Sequence, residues 1–145
     1  VKISTPLDLY WSMGLVLRDL RAIDEKLLKT FDVGPAQMRI LHTISDHPQG
    51  LNLKEISRMI DVTPGNASRL VEKLSQKGWV DRSPSPISKR EIVVRLTREG
   101  SRHLRKLAPL QQQEINSYIG KQLSPELIGQ LKVILEAMEE DTAAS

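Results

Sequence analysis

"TPGNASRLVEKLSQKGWVDR" (residues 63–82) decides the fold. Thr63 is placed to cap a helix, with Pro64 at its first position, where a missing N–H costs nothing. Ala67, Leu70, Val71 and Leu74 recur at the spacing of a buried helical face. Gly78 ends the run. The front of this helix is unusual. Pro64, Gly65, Asn66, Ala67 and Ser68 include no bulky side chain, and Gly costs about 1 kcal/mol against Ala inside a helix. A helix offered end-on to a groove needs such a slim front, and its free N–H groups and positive dipole end suit phosphate oxygens.

Working outward, "LNLKEISRMI" (51–60) predicts a short helix capped by Asn52, with Glu55 completing a capping box and Ile56, Met59 and Ile60 buried. "DVT" (61–63) joins it tightly to the helix above. Downstream, "WVDR" (79–82) and "EIVVRL" (91–96) read as strands around "SPSPISK" (83–89), whose two prolines oppose further pairing and leave a projecting tip. Thr97 caps a long helix carrying Leu104, Leu107, Leu110, Ile115 and Ile119, with a bend expected at Pro109. Ser124-Pro125 opens a last helix bearing Leu127, Leu131, Ile134, Leu135 and Met138, and "DTAAS" (141–145) is expected to fray. Upstream, Leu7, Tyr10, Trp11, Gly14, Leu17, Leu20 and Leu28 mark a helix over 6–31. Met38, Leu41 and Ile44 mark a second helix, opened by Gly34-Pro35 and ending before "DHPQG".

The predicted fold is therefore mainly α: a winged helix-turn-helix in the order α-α-α-α-β-β-α-α. It forms one chain, with a winged lobe over 34–100 and terminal helices over 1–33 and 101–145. Those terminal helices carry more apolar surface than the lobe can cover, which points to a second copy of the chain.

The 145 residues include no Cys, which removes disulfides, thiolate catalysis and cysteine redox sensing. The apolar run "LYWSMGLVL" (9–17) is too short to span a bilayer, and nothing suggests a secretory signal, so a cytoplasmic protein with no membrane partner is expected. Charge is unevenly spread. Residues 51–106 hold 13 Lys and Arg against 6 Asp and Glu, whereas the rest of the chain is acidic. A basic middle is the footprint of a polyanion-binding surface; an uneven solvated surface is the plainer alternative.

Double-stranded DNA fits these features. The second helix of a helix-turn-helix lies in the major groove with its N-terminal residues at the base edges. Thr63, Pro64, Gly65, Asn66, Ser68, Arg69 and Lys73 are the candidate contacts. Asn suits adenine and Arg suits guanine, while Lys73 reaches toward phosphate. Ser85, Ser88, Lys89 and Arg90 are the wing candidates, an Arg at the tip suiting a narrow minor groove. Lys54 and Arg82 are candidates for further backbone contacts.

Almost the whole chain, from the helix before "VGPAQMRIL" (33–41) to the sixth helix, resembles the MarR family of transcriptional regulators, most specifically in the run from Leu53 to Gly100. Leu70, Val71, Leu74, Lys77, Gly78, Val80, Asp81, Arg82, Leu96, Thr97 and Gly100 fit that family's pattern without a gap. One position departs: the family's wing Asp is Ser88 here, while the Arg two residues on is kept as Arg90. A carboxylate there braces the wing arginine by a charge-assisted hydrogen bond, which Ser cannot supply; Glu91 is the candidate substitute. The resemblance implies a homodimer built by the first, fifth and sixth helices, acting as a repressor on a pseudo-palindromic site. It also implies release by a small, often aromatic or phenolic, anion. Tyr10, Trp11, Met38, Arg39 and His42 are the candidate effector crevice.

Two other readings stay open: a winged helix that binds only protein, and a metal-responsive regulator. His42 and Asp46, and Glu99 and His103, have helical spacing, which is more often that of a surface pair, so no metal or cofactor is expected. No phosphate-cradling loop, nucleophile motif or paired acid and base suggests an enzyme.

Overall fold

The computed structural model describes residues 2–144. Its elements are α1 (Pro6–Lys29), α2 (Pro35–Ser45), α3 (Leu53–Met59), α4 (Pro64–Gln76), β1 (Val80–Pro84), β2 (Ile92–Leu96), α5 (Arg98–Ile119) and α6 (Pro125–Ala143). This is the mainly helical winged arrangement expected, with β1 and β2 antiparallel and Arg82 opposite Val94. The expected caps form at Asn52, Thr63, Thr97 and Ser124, each accepting a backbone N–H from the first turn it precedes.

Several boundaries differ from expectation. Trp79 lies ahead of β1 rather than in it, and β1 runs on through Ser83 and Pro84. Pro84 sits at the end of the ladder, where a missing donor is tolerated. α6 runs to Ala143 rather than fraying at 141, and Ser145 lies outside the described residues. Leu51 adds a pairing not expected from sequence: it exchanges both backbone hydrogen bonds with Val94, at 3.1 and 2.7 Å. That isolated bridge ties the approach to α3 to β2.

One core serves the lobe. Met38, Ile40, Leu41, Ile56, Val71, Leu74 and Val94 fill it, and Leu28 from α1 and Leu107 from α5 close it. The lobe's packing thus reaches beyond 34–100 into both flanking helices. Outside this region the terminal helices are bare. Leu28 is the only buried residue of α1, and no residue of α6 is buried.

Three helices end the same way. After α1, α3 and α4 the chain turns through a left-handed residue: Asp32 (φ 54), Asp61 (φ 55) and Gly78 (φ 74). The next residue then donates its N–H back across the last turn, Val33 to Leu28, Val62 to Ser57 and Trp79 to Leu74. This is the Schellman arrangement, in which an apolar residue follows the turn and packs inward. Val33 and Trp79 are buried, and Val62 packs on the core.

α5 is docked through its backbone. Thr97 donates its N–H to the Trp79 carbonyl (3.1 Å) and its hydroxyl to the Gly78 carbonyl (2.6 Å). The same hydroxyl accepts the Gly100 N–H at 3.0 Å. A Cβ at Gly100 would stand 1.9 Å from the Trp79 oxygen. One turn on, the His103 ring stacks on Trp79 with centroids 4.3 Å apart. Beside it, the Arg102 guanidinium, together with His103, holds the Glu99 carboxyl down to about 2.

Gly100→Ala is expected to destabilise the chain by about 3 kcal/mol or more, because the obstructing atom is backbone and cannot change rotamer. Thermal denaturation checks this; a melting temperature within a degree of the parent's would show that α5 can shift at no cost.

Candidate nucleic-acid interface

The turn between α3 and α4 sets the angle of the site. Asp61 takes the left-handed position that Gly usually fills, and Thr63 follows as the cap of α4, accepting the Asn66 N–H at 3.2 Å. Ala67, Val71 and Leu74 hold one side of α4 to the core. The opposite side presents Thr63, Pro64, Gly65, Arg69 and Lys73 to solvent, with Asn66 and Ser68 half-buried beside them. A Cβ built on Gly65 meets nothing within 4 Å. Nothing in the described residues therefore requires Gly at this position.

The two candidate base readers are joined. Arg69 Nη2 donates to Asn66 Oδ1 at 2.9 Å. Arg82, on β1, lies against the same helix: its guanidinium stands 3.7 Å from a Glu72 carboxylate oxygen and 3.5 Å from the Ser68 carbonyl. Arg82 thus ties the wing to α4. Lys54 is exposed in the first turn of α3.

The wing corrects one prediction. Ser85 is only 7% exposed and is no surface contact. Its N–H donates to the Glu91 carbonyl at 2.7 Å, and its hydroxyl accepts the N–H groups of Ile87 (3.2 Å) and Ser88 (3.4 Å). It folds the tip that presents Ser88, Lys89 and Arg90, all exposed. Glu91 is not the brace for Arg90: its carboxylate accepts a hydrogen bond from the Asn52 side chain, tying the wing's base to the cap of α3. Asn52 is a residue that the sequence marked only as a cap. Its amide holds two elements because Oδ1 serves the helix while Nδ2 is left to donate.

The expected effector crevice does not assemble within one chain. Met38 is fully buried in the core. Tyr10 and Trp11 lie 18 and 17 residues before Leu28 on α1, about 27 Å along a helix from the end that meets the core. They line an apolar groove of about 930 Å³ with Leu20, Ile119, Leu123 and Leu135. Arg39 and His42 are exposed on α2, away from that groove. The cleft where α1, α2 and α4 converge has other walls. It measures about 640 Å³ and is lined by Glu25, Lys29, Asp32, Gln37, Lys73 and Lys77. Lys77 lies 2.6 Å from Asp32 and holds its carboxyl below the usual range. Sequence reading missed this cleft because its residues come from three segments and none forms a motif.

Among the described residues no three His, Asp or Glu side chains come together as metal ligands. Glu99 and His103 do pair at 3.0 Å, but Arg102 shares the carboxylate. No described helix is long and apolar enough to cross a membrane.

Comparison with known proteins places this geometry. Residues 34–92 match the family model described as "MarR family". The chain is 28% identical over 109 residues to the multiple antibiotic resistance protein MarR of Escherichia coli (strain K12), covering 75% of each chain. Among solved structures it is similar to a MarR-family transcriptional regulator from Streptomyces coelicolor in complex with DNA. The TM-score is 0.82 at 23% identity, over 97% of this chain and 91% of that one. It is also similar to CouR from Rhodococcus jostii bound to p-coumaroyl-CoA, with a TM-score of 0.81 at 19% identity, over 90% and 91% of the two chains.

Proposed function

We propose that the chain, whose residues 34–92 match the MarR family model, is a transcriptional regulator of that family and acts as a non-catalytic homodimeric repressor. Its two winged lobes hold a pseudo-palindromic duplex and release it when a small effector binds. The observation that carries the DNA reading is the front of α4. Gly65 lies in open space and costs helix stability, yet no contact in the fold asks for it. A bare first turn that the fold does not require is accounted for by something that approaches from outside. In the major groove that something is the base edge, reached by Asn66 and Arg69, with Thr63, Ser68 and Lys73 on the flanking phosphates. Lys89 and Arg90 carry the wing to the adjacent minor groove. The relative crystallised with DNA has the same fold.

The homodimer is supported by what the single chain leaves bare. Tyr10 is 71% exposed, Trp11 57%, Val133 66% and Ile134 55%. α6 makes almost no contact with the rest of its own chain. An isolated apolar helix of this kind has no reason to hold its place in water, and a second copy supplies the missing surface. Dimerisation also sets the spacing of two recognition helices, so half-sites about one helical turn apart follow from it.

The effector would act by changing that spacing, a population shift between two separations of the lobes. A small anion, aromatic or phenolic, is the class that the family favours. The cleft between α1, α2 and α4 supports it better than the residues first considered, since Lys29, Lys73 and Lys77 converge there.

Three measurements test this. Gly65→Ala is expected to raise the melting temperature, by about 1 kcal/mol of helix propensity, and to weaken binding to a selected operator by about 1 kcal/mol or more. Unchanged affinity would remove the close approach of α4 to DNA. Arg90→Ala is expected to weaken binding across all sequences and to lower the slope of log K against log salt by about one; an unaltered slope would take Arg90 off the phosphates. Leu131→Asp combined with Ile134→Asp is expected to yield a folded monomer by analytical ultracentrifugation that no longer binds the operator. A variant that remains a dimer would place the interface elsewhere.

A further inference from the structure

We infer that Asn66 and Arg69 read DNA as one unit, with Asn66 positioning the Arg69 guanidinium on guanine rather than reading adenine itself. The inference rests on the DNA reading above and specifies its chemistry. An Asn that reads adenine uses both ends of its amide: the oxygen accepts from N6 and the nitrogen donates to N7. Here the oxygen end is taken, because Arg69 Nη2 stands 2.9 Å from Asn66 Oδ1. The orientation of that amide is fixed by chemistry. A guanidinium only donates, so the atom facing it has to be the carbonyl oxygen.

What remains is a surface dominated by donors. Asn66 Nδ2 keeps its two hydrogens, and Arg69 keeps four of its five N–H groups. Asn66 Oδ1 keeps a second lone pair, but the guanidinium bound to it makes that oxygen a weaker acceptor for another donor. Guanine shows two acceptors, O6 and N7, in the major groove, whereas adenine shows one acceptor beside a donor. A pair rich in donors matches the first, and at the second it sets donors against the N6 hydrogens.

The pair is also held in place. Asn66 is pinned through its backbone by the Thr63 hydroxyl (3.2 Å). Its side chain is half-buried, and Gly65 beside it leaves the approach open. The strut from Arg82 to the Ser68 carbonyl and Glu72 fixes the helix face on the other side. With Arg82 already engaged by Glu72, the Asn66 oxygen is the only acceptor recorded for Arg69 among the described residues. A long flexible side chain is thereby ordered before it meets DNA, which reduces the entropy lost on binding.

The test begins with selection of bound duplexes by the 145-residue parent chain. The selected sites are expected to hold one guanine per half-site whose replacement by 7-deazaguanine, which lacks N7, weakens binding by about 5- to 150-fold. Replacing adenines with 7-deazaadenine is expected to change little. Arg69→Ala is expected to abolish the guanine preference and, with the Asn66 oxygen released, to shift that position toward adenine. Asn66→Ala is expected to keep guanine as the preferred base but to bind it less tightly. In a double-mutant cycle the two losses would be less than additive. A parent preference for adenine that disappears in Asn66→Ala, with the guanine preference untouched, overturns the pairing alone. Strictly additive losses overturn it too. A chain that selects no duplex at all overturns the DNA reading and the pairing with it. Both side chains lie off the core, so the variants keep the fold in which they are compared.

Discussion

Two backbones meet between the end of α4 and the start of α5: Gly100 packs so tightly against the carbonyl of Trp79 that a Cβ there would stand 1.9 Å from its oxygen. No side chain fits between them. The contact joins the end of α4 to the start of α5, and Thr97 locks it by bonding to both Gly78 and Trp79. Side chains in a packed core absorb small movements by changing rotamer, but carbonyls and α-carbons cannot. α5 therefore moves with the end of α4, not past it. In a dimer held by the terminal helices, this is the joint through which a change of helix angle reaches the recognition helix. The Trp79–His103 stack widens the joint to a second turn of α5. α1 and α5 both contribute to the lobe's core, so the near ends of both helices pack with the lobe as one unit.

Most of the fold is legible in the sequence because its signals are local. A helix cap is a hydroxyl or amide three residues from the N–H it accepts, so Asn52, Thr63, Thr97 and Ser124 declare themselves. Gly78 does too, because Gly is the usual left-handed residue after a helix. Asp32 and Asp61 fill the same position and are missed, since Asp is as often a cap or a surface charge. The Leu51–Val94 bridge is missed because it joins positions far apart in sequence, and a single pair leaves no periodicity to read. The candidate crevice fails for a similar reason. Met38 has the same spacing as any core residue, and its full burial depends on what α1 and α5 bring to it.

The site divides along the same line. Residue types in α4 and the wing are readable, because Gly, Asn, Ser and Arg gathered at a helix front have few structural uses. Who bonds to whom is not readable. Ser85 and Arg90 are both polar residues of one loop. One turns inward to fold the tip and the other turns out. That division depends on a backbone closed by the Ser85–Glu91 hydrogen bond. Glu91 likewise offers a carboxylate next to Arg90 in sequence, but the amide of Asn52 claims it.

This last exchange bears on how the wing works. With Ser88 in place of the family's Asp, and Glu91 engaged with Asn52, no described residue braces the Arg90 guanidinium. The base of the wing is rigid: it is held by the strand ladder, the Ser85 turn and the Asn52 tether. Its tip carries a free cation on a long stem. Such a side chain is ordered only on contact and loses rotamer entropy when it binds. On the proposed duplex it would follow an electrostatic well rather than a fixed set of atoms, adding affinity for the backbone and for narrow grooves more than discrimination among bases. Under that proposal recognition is divided by stiffness: the pinned, hydrogen-bonded pair at the front of α4 is suited to selecting sequence, and the unbraced arginine of the wing is suited to holding on.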